Sequence, residues 1–216
     1  MATAKIIEDP SAGDAPVEPR KALIMLVGLI IGVGIPVGII FLLDILNDKV
    51  RSIDEVKQAL PFPVLGDIPE LPQEEVTLLR ENFSVSESMQ VIREKLNYML
   101  GEKACPVLVV TSGVPGEGKT LVAAHLAKAY AKAGKKTLLV GCDLRNPQLH
   151  SYLHKNYSRG LSAYLAGMEP EWRRLVHSLE DNLSVLFGGD VPPNPVALLS
   201  SDRFKTLFEE IGRAHV

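Results

Sequence analysis

Residues 111–121 read TSGVPGEGKTL and decide the fold of the second half of the chain. They follow an apolar run, VLVV at 107–110, and precede a segment with helical spacing. Four of these residues match the phosphate-binding pattern G-x-x-x-x-G-K-[ST], namely Gly113, Gly118, Lys119 and Thr120. Glycines let backbone N–H groups approach an anion, and the N-terminus of the following helix directs its dipole at the same anion. Residues 113–120, called the phosphate loop below, therefore predict a nucleotide site.

The ligands expected at this loop are ATP and Mg²⁺. In loops of this pattern the lysine reaches the β- and γ-phosphates, and the hydroxyl of the Ser/Thr residue binds Mg²⁺. We therefore expect the Lys119 amine at the phosphates and the Thr120 hydroxyl at the metal. The predicted nucleotide-binding residues are Gly113, Val114, Pro115, Gly116, Glu117, Gly118, Lys119, Thr120 and Leu121.

Strand and helix patterns alternate around the loop. Strands are predicted at 106–111, 137–140 and 183–187, and helices at 86–100, 119–133, 148–153 and 162–166, with two more starting at Asn194 and Ser201. This order predicts an α/β P-loop domain, a three-layer αβα arrangement with a parallel sheet and right-handed crossovers. The strands at 106–111 and 137–140 both lead into polar loops. We therefore expect them to be adjacent and parallel, with Asp143 near Thr120.

A transmembrane helix is predicted ahead of this domain. Residues 22–43 contain no charged side chain, and at about 1.5 Å per residue they span roughly 33 Å, enough for a hydrocarbon core of about 30 Å. Because ATP is cytosolic, we expect residues 44–216 on the cytoplasmic side. Residues 1–21 then form an extracytoplasmic connector. Residues 44–85 form a juxtamembrane linker with a capping box at Ser52 and Glu55, followed by prolines.

The overall composition excludes some functions. The formal net charge is −3, and a chain without a basic excess is not expected to bind nucleic acid. The two cysteines, Cys105 and Cys142, lack the spacing of a metal site.

With these features in place, the chain resembles the bacterial tyrosine kinases linked to polysaccharide co-polymerases, the Wzc-type proteins. The resemblance covers about residues 6–210. It is carried by five segments: IEDPSAGDAP (7–16), RSIDEVKQALPFPVLGDIP (51–69), SGVPGEGKT (112–120), LLVGCDLRNP (138–147) and PPNPVALLSSDRF (192–204). The third is similar to the family's Walker A loop and the fourth to its second acidic motif. Residues 86–210 are therefore interpreted as a partial P-loop tyrosine kinase domain.

The resemblance implies a function and partners. It implies a kinase in the bacterial inner membrane that transfers phosphate from ATP to protein tyrosine, its own included, in capsular or exopolysaccharide biosynthesis and export. Lys119 and Asp143 would be catalytic, with Thr120 and Asp143 at Mg²⁺. A ring-like homo-oligomer is implied, with Glu87 and Arg93 as contacts. The polysaccharide export machinery and a tyrosine phosphatase are the other implied partners.

Departures from the family pattern leave alternatives open. Gly141 stands where the family has its first aspartate, so the identity of the catalytic base is undecided. The signature lysine of ParA- and MinD-like ATPases is replaced by Val114, which disfavours a membrane-tethered ATPase of that type. A non-catalytic nucleotide-binding membrane segment is the third interpretation.

Residues 211–216, IGRAHV, are interpreted as an artefactual tail. The resemblance implies a Walker B strand after Ile211, and none follows there, so the chain alone is expected to be inactive as a kinase.

Overall fold

A computed structural model describes residues 20–47, 52–70, 83–101, 105–153, 155 and 157–213. Most of the predicted connector at 1–21 and the last three residues of the predicted tail lie outside these ranges. The chain forms two compact units that divide between Ala59 and Leu60.

The first unit contains the predicted membrane span. Helix α1 runs from Lys21 to Ile45, and all its side chains are exposed. It is the one helix among the described residues that is long and apolar enough to cross a membrane. Helix α2 follows at Ile53–Ala59. The Ser52 hydroxyl accepts a hydrogen bond from the Glu55 N–H at 3.3 Å, which is one half of the predicted capping box.

The second unit contains six helices and three strands within the described residues. The helices are α3 (Phe83–Leu100), α4 (Lys119–Lys132), α5 (Leu149–Tyr152), α6 (Leu161–Leu165), α7 (Pro195–Leu199) and α8 (Asp202–Arg213). The strands are β1 (Thr137–Val140), β2 (Val176–Glu180) and β3 (Leu183–Leu186). A short 3₁₀ helix at Trp172–Leu175 precedes β2. The helix predictions are confirmed to within a few residues.

The sheet is mixed, which corrects the prediction of a wholly parallel one. Its order is β1-β3-β2, with β1 parallel and β2 antiparallel to β3. Strand β2 joins β3 through a tight turn in which Asn182 has φ 63°, a left-handed conformation that Asn tolerates better than most residues. A two-residue connection can only join antiparallel strands, so the Asp-Asn pair at 181–182 was the sequence signal for this hairpin.

Helices cover both faces of the sheet, as the three-layer prediction requires. Alternate strand residues point to opposite faces. Leu139, Leu183 and Val185 pack with α4 and α5 on one face. On the other face, Leu186 packs with residues of α6 and α8, including Leu207. Helix α3 packs against α4 through a separate apolar cluster that contains Met89, Ile92 and Leu126.

The predicted strand at 106–111 is wrong for this structure. These residues form no strand, and the parallel neighbour of β1 is β3 rather than this segment. Leu108 packs toward α3 and α4, whereas Val107 and Val109 are 54% and 85% exposed. A strand is defined by its ladder of hydrogen bonds, and no described strand pairs with these residues.

The predicted boundary at residue 211 does not coincide with the end of an element. Helix α8 continues to Arg213, and Ile211 is buried in the same cluster as Leu207. The interpretation of 211–216 as a tail stays a prediction.

Candidate functional site

The phosphate loop forms a series of turns that leads into α4. Gly116 and Gly118 have φ values of 89° and 86°, a region that residues with a side chain rarely adopt. Gly118 precedes the first residue of α4, and no described side chain caps this helix start. The first N–H groups of a helix have no partner within it. The loop is thus neither continuous helix nor strand, and its second half leaves amides that can bind an anion.

The first half of the loop is braced by one of its own side chains. The Glu117 carboxylate accepts hydrogen bonds from the N–H groups of Gly113 and Val114, at 2.9 and 3.2 Å. The Ser112 hydroxyl donates to the Val114 carbonyl at 3.0 Å. Of the nine predicted nucleotide-binding residues, Gly113 and Val114 therefore use their amides inside the loop. The glycine spacing of the loop did not predict this bracing role of Glu117.

Two predicted catalytic residues lie side by side. The Lys119 Nζ atom is 3.6 Å from Oδ2 of Asp143, and each side chain is about one third exposed. The other carboxylate oxygen of Asp143 accepts a hydrogen bond from the Asn146 N–H at 3.1 Å. The fold thus brings the loop that follows β1 against the phosphate loop, although the segment at 106–111 is not paired with β1.

The loop that follows β1, residues 141–147, is fixed by β3. The Gly141 N–H donates to the Leu186 carbonyl at 2.9 Å, and Leu144 is buried. A Cβ atom at Gly141 would lie 3.1 Å from the Gly188 nitrogen, so the position is closely packed.

Burial raises the pKa of the Cys142 thiol to about 11, so this thiol is protonated at neutral pH. Arg145 is exposed and has no ion pair within the described residues.

The donors at the site suit Mg²⁺ bound together with a nucleotide. The Thr120 hydroxyl and the Asp143 carboxylate are hard oxygen donors, and Mg²⁺ is usually held by one or two such protein groups plus phosphate oxygens. No group of three or more His, Cys, Asp or Glu residues in the described ranges could hold a metal by itself.

The residues expected at an oligomer contact differ in their surroundings. Glu87 is exposed on α3. The Arg93 guanidinium donates to the Ala129 carbonyl of α4 at 2.9 Å and pairs with Glu94. Arg93 therefore ties α3 to α4 within the chain.

Comparison with known proteins identifies relatives of this chain. The family described as the CobQ/CobB/MinD/ParA nucleotide binding domain matches residues 108–215. The tyrosine-protein kinase etk of Escherichia coli (strain K12) is 28% identical over 229 aligned residues, which cover 95% of this chain and 31% of the relative. The tyrosine-protein kinase YwqD of Bacillus subtilis (strain 168) is 36% identical over 130 residues, 60% of this chain and 55% of the relative. The chain thus spans between about a third and a half of the length of these curated relatives.

Two solved structures are also similar to this chain. The chimerical protein CapA2B2 has a TM-score of 0.66 and 33% identity, covering 74% of this chain and 70% of that one. The kinase domain of the Escherichia coli tyrosine kinase ETK has a TM-score of 0.68 and 26% identity, covering 77% and 71%.

Proposed function

We propose that this chain, which belongs to the CobQ/CobB/MinD/ParA nucleotide binding domain family, serves the transfer of phosphate from ATP to protein tyrosine. The observation that carries the proposal is the pairing of Lys119 with Asp143 beside a loop with open amides. The resemblance to two named tyrosine-protein kinases supports the choice of tyrosine as acceptor.

The residues divide the work of phosphoryl transfer, which depends mainly on positioning and charge neutralisation. ATP supplies the phosphoryl group, and Mg²⁺ neutralises the charge that its oxygens carry. The amides from Gly116 to Thr120 would bind the phosphates, and the Lys119 amine would exchange its contact with Asp143 for the β- and γ-phosphates. The Thr120 hydroxyl would hold the metal. Asp143 would lie close to the metal or accept the proton of the incoming hydroxyl, since Gly141 offers no carboxylate.

The location and partners are also part of the proposal. Helix α1 would anchor the chain in the bacterial inner membrane with the loop on the cytoplasmic side. Copies would assemble into a ring in which Glu87 is an exposed contact, and Arg93 would support that surface by holding α3 on α4. The polysaccharide export machinery and a tyrosine phosphatase would act on or with the ring.

The test separates nucleotide binding from phosphoryl transfer. ATP·Mg²⁺ affinity is measured on this chain in lipid nanodiscs, for the wild type, Lys119→Met and the exposed control Lys135→Met. Hydrogen bonds to charged groups are worth about 1.5–3 kcal/mol, or roughly tenfold to a hundredfold in affinity. We expect a loss of comparable size in affinity for Lys119→Met, and no change for Lys135→Met.

Phosphotyrosine formation is measured in a chimera, because the chain covers only 31% of the E. coli kinase. Residues 83–210 replace the matching residues of that kinase, with and without Lys119→Met. We expect labelling from γ-labelled ATP that the substitution abolishes. ATP hydrolysis without phosphotyrosine would instead favour the ParA/MinD-type ATPase, and ATP binding without either reaction would favour a non-catalytic role.

A further inference from the structure

A cavity of about 170 Å³ opens at the carboxyl end of β3, outside the phosphate loop. A cavity of about 150 Å³ in a protein interior is large enough to bind benzene. The cavity therefore has room for one aromatic side chain and little more.

Its apolar walls are formed by aromatic and aliphatic side chains that are held in place. Tyr157, Phe187 and Leu149 line it. Phe187 and Leu149 are buried. The Tyr157 ring stacks on His177 with centroids 3.8 Å apart and lies 5.0 Å from the Phe187 ring. Aromatic rings in such arrangements attract one another beyond their burial, so the walls are formed before a ligand arrives.

Polar groups face the same cavity. His150 and Asp190 line it together with the backbone of Gly188 and Gly189. Within the described residues, neither the His150 imidazole nor the Asp190 carboxylate has a hydrogen bond or ion pair through its side chain. An aromatic ring with one hydroxyl would satisfy both the apolar walls and these polar partners, whereas a purely apolar ring would satisfy the walls only.

The cavity adjoins the loop that carries Asp143. Pro147 is a lining residue, and the neighbouring Asn146 N–H binds the Asp143 carboxylate at 3.1 Å. Strands β1 and β3 are parallel, so the loops that follow them lie at the same edge of the sheet, where ligands of α/β proteins bind. A molecule with a side chain in the cavity would therefore lie next to the loop that carries Asp143.

We propose that this cavity docks a tyrosyl side chain of the peptide segment that accepts phosphate. The inference rests on the proposed function and adds a substrate-recognition site to it. The ring packs between Tyr157 and Leu149, and the phenol hydroxyl donates a hydrogen bond to the Asp190 carboxylate. The docked tyrosine is distinct from the acceptor tyrosine of the same segment, whose hydroxyl would lie at Asp143, and the cavity selects tyrosine over phenylalanine at the docking position.

The experiment measures peptide binding and ATP binding on the same samples of the full chain in lipid nanodiscs. The probe is a fluorescent glycine-serine peptide with a single tyrosine, compared with peptides that have phenylalanine or alanine there. One hydrogen bond contributes about 0.5–1.5 kcal/mol, or roughly twofold to tenfold in affinity. We expect the tyrosine peptide to bind better than the phenylalanine peptide by that factor, and the alanine peptide not to bind.

Two exposed valines give a matched pair of variants. Val191 lines the cavity, and Val196 on α7 does not, although each is 58% exposed. Val191→Trp should fill the opening and weaken the tyrosine peptide at least tenfold, whereas Val196→Trp should leave it unchanged. Asp190→Ala, which removes the acceptor, should remove most of the preference for tyrosine over phenylalanine. All three variants should bind ATP as the wild type does, which shows that they fold.

The possible failures are distinguishable. If the wild type binds no tyrosine peptide, or if Val191→Trp binds it as tightly as Val196→Trp does, the docking site is wrong. If the peptide binds as expected but ATP does not bind, the proposed function fails and the cavity remains a tyrosyl site.

Discussion

Two apolar runs of the chain look alike in sequence and differ in structure. VLVV at 107–110 and TLLV at 137–140 both precede a polar loop. The second is strand β1, parallel to β3, and its Leu139 is 9% exposed. The first forms no strand, and its Val109 is 85% exposed. An apolar run can form a strand, but it gains interstrand hydrogen bonds and burial only when a neighbouring strand pairs with it.

The loops that follow the two runs also differ in how strongly the rest of the unit holds them. Residues 141–147 are tied to β3 by a backbone hydrogen bond and by buried Leu144. The first five residues of the phosphate loop are exposed, and the loop is braced mainly by its own Glu117. The packing that stabilises the unit therefore lies mainly on the β1–β3 side, whereas the open backbone amides lie in the phosphate loop. Three predictions test this division, from the largest expected effect to the smallest.

The largest effect is expected on the free energy of unfolding, from the substitution Leu186→Ala in strand β3. Leu186 of β3 is fully buried, and truncating such a residue to alanine typically costs about 2–5 kcal/mol through lost transfer energy and a cavity. Val109→Ala removes methyl groups that are already exposed, so its cost should stay within about 0.5 kcal/mol. Hydrogen exchange of the β1 and β3 amides measures both variants in the full chain. A cost above about 2 kcal/mol for Val109→Ala would show that the first run is packed in solution.

A smaller effect is expected at the contact between the two loops. Asp143→Asn keeps the shape of the side chain but removes the charge that faces Lys119 and the proposed metal. Hydrogen bonds to charged groups are worth about 1.5–3 kcal/mol, so the affinity for Mg²⁺ in the presence of ATP should fall roughly tenfold to a hundredfold. Mg²⁺ titration of ATP binding measures this.

The control for that substitution is Asp181→Asn, at the exposed turn between β2 and β3. It should leave the Mg²⁺ dependence unchanged. If Asp143→Asn also leaves it unchanged, then Asp143 serves only as a counter-ion of Lys119.

The smallest effect concerns pH and helix α4, which joins the two regions. Burial, and then the nearby charge of Lys128, lower the pKa of His125 from 6.5. The unfolded chain therefore binds more protons at this residue in the range just below pH 6.5. Stability should fall as pH drops from 6.5 toward the lower folded-state pKa, and it should be fully present above 6.5.

His125→Gln should flatten this dependence. Burial also lowers the pKa of His177, so His177→Gln should change the slope in the same direction. Thermal unfolding between pH 5 and 7 compares the variants. An unchanged slope in His125→Gln would mean that folding does not lower the pKa of this imidazole.

The sequence predicted most of the fold for identifiable reasons. The helix beginning at Lys119 was predictable from the glycine pattern and the helical spacing, and β1 and β3 from short apolar runs. Strand β2 was missed because its residues, VHSLE, alternate only weakly, and its pairing depends on the turn at Asn182. The strand at 106–111 was predicted wrongly because composition does not report whether a partner strand is present.

The site was predictable in chemistry but not in detail. The proximity of Asp143 to the phosphate loop was expected because strands at 106–111 and 137–140 were predicted to be adjacent. The contact between Lys119 and Asp143 forms although these two segments are not paired. The bracing by Glu117 depends on how the loop turns, which glycine spacing alone does not specify. The cavity beside β3 combines residues from 147 to 191, and such a combination exists only after folding.

The position of β1 at the border of the sheet has a consequence for crowding on a membrane. Among the described residues, no strand pairs with its outer edge, and an unpaired edge is a template for another chain. If α1 anchors each copy, the copies share a thin layer rather than a volume, and tethering raises the effective concentration of one edge for another. Edge pairing between copies would then depend on their surface density, and a surplus of anchored chain would self-associate at total amounts that leave an unanchored chain monomeric.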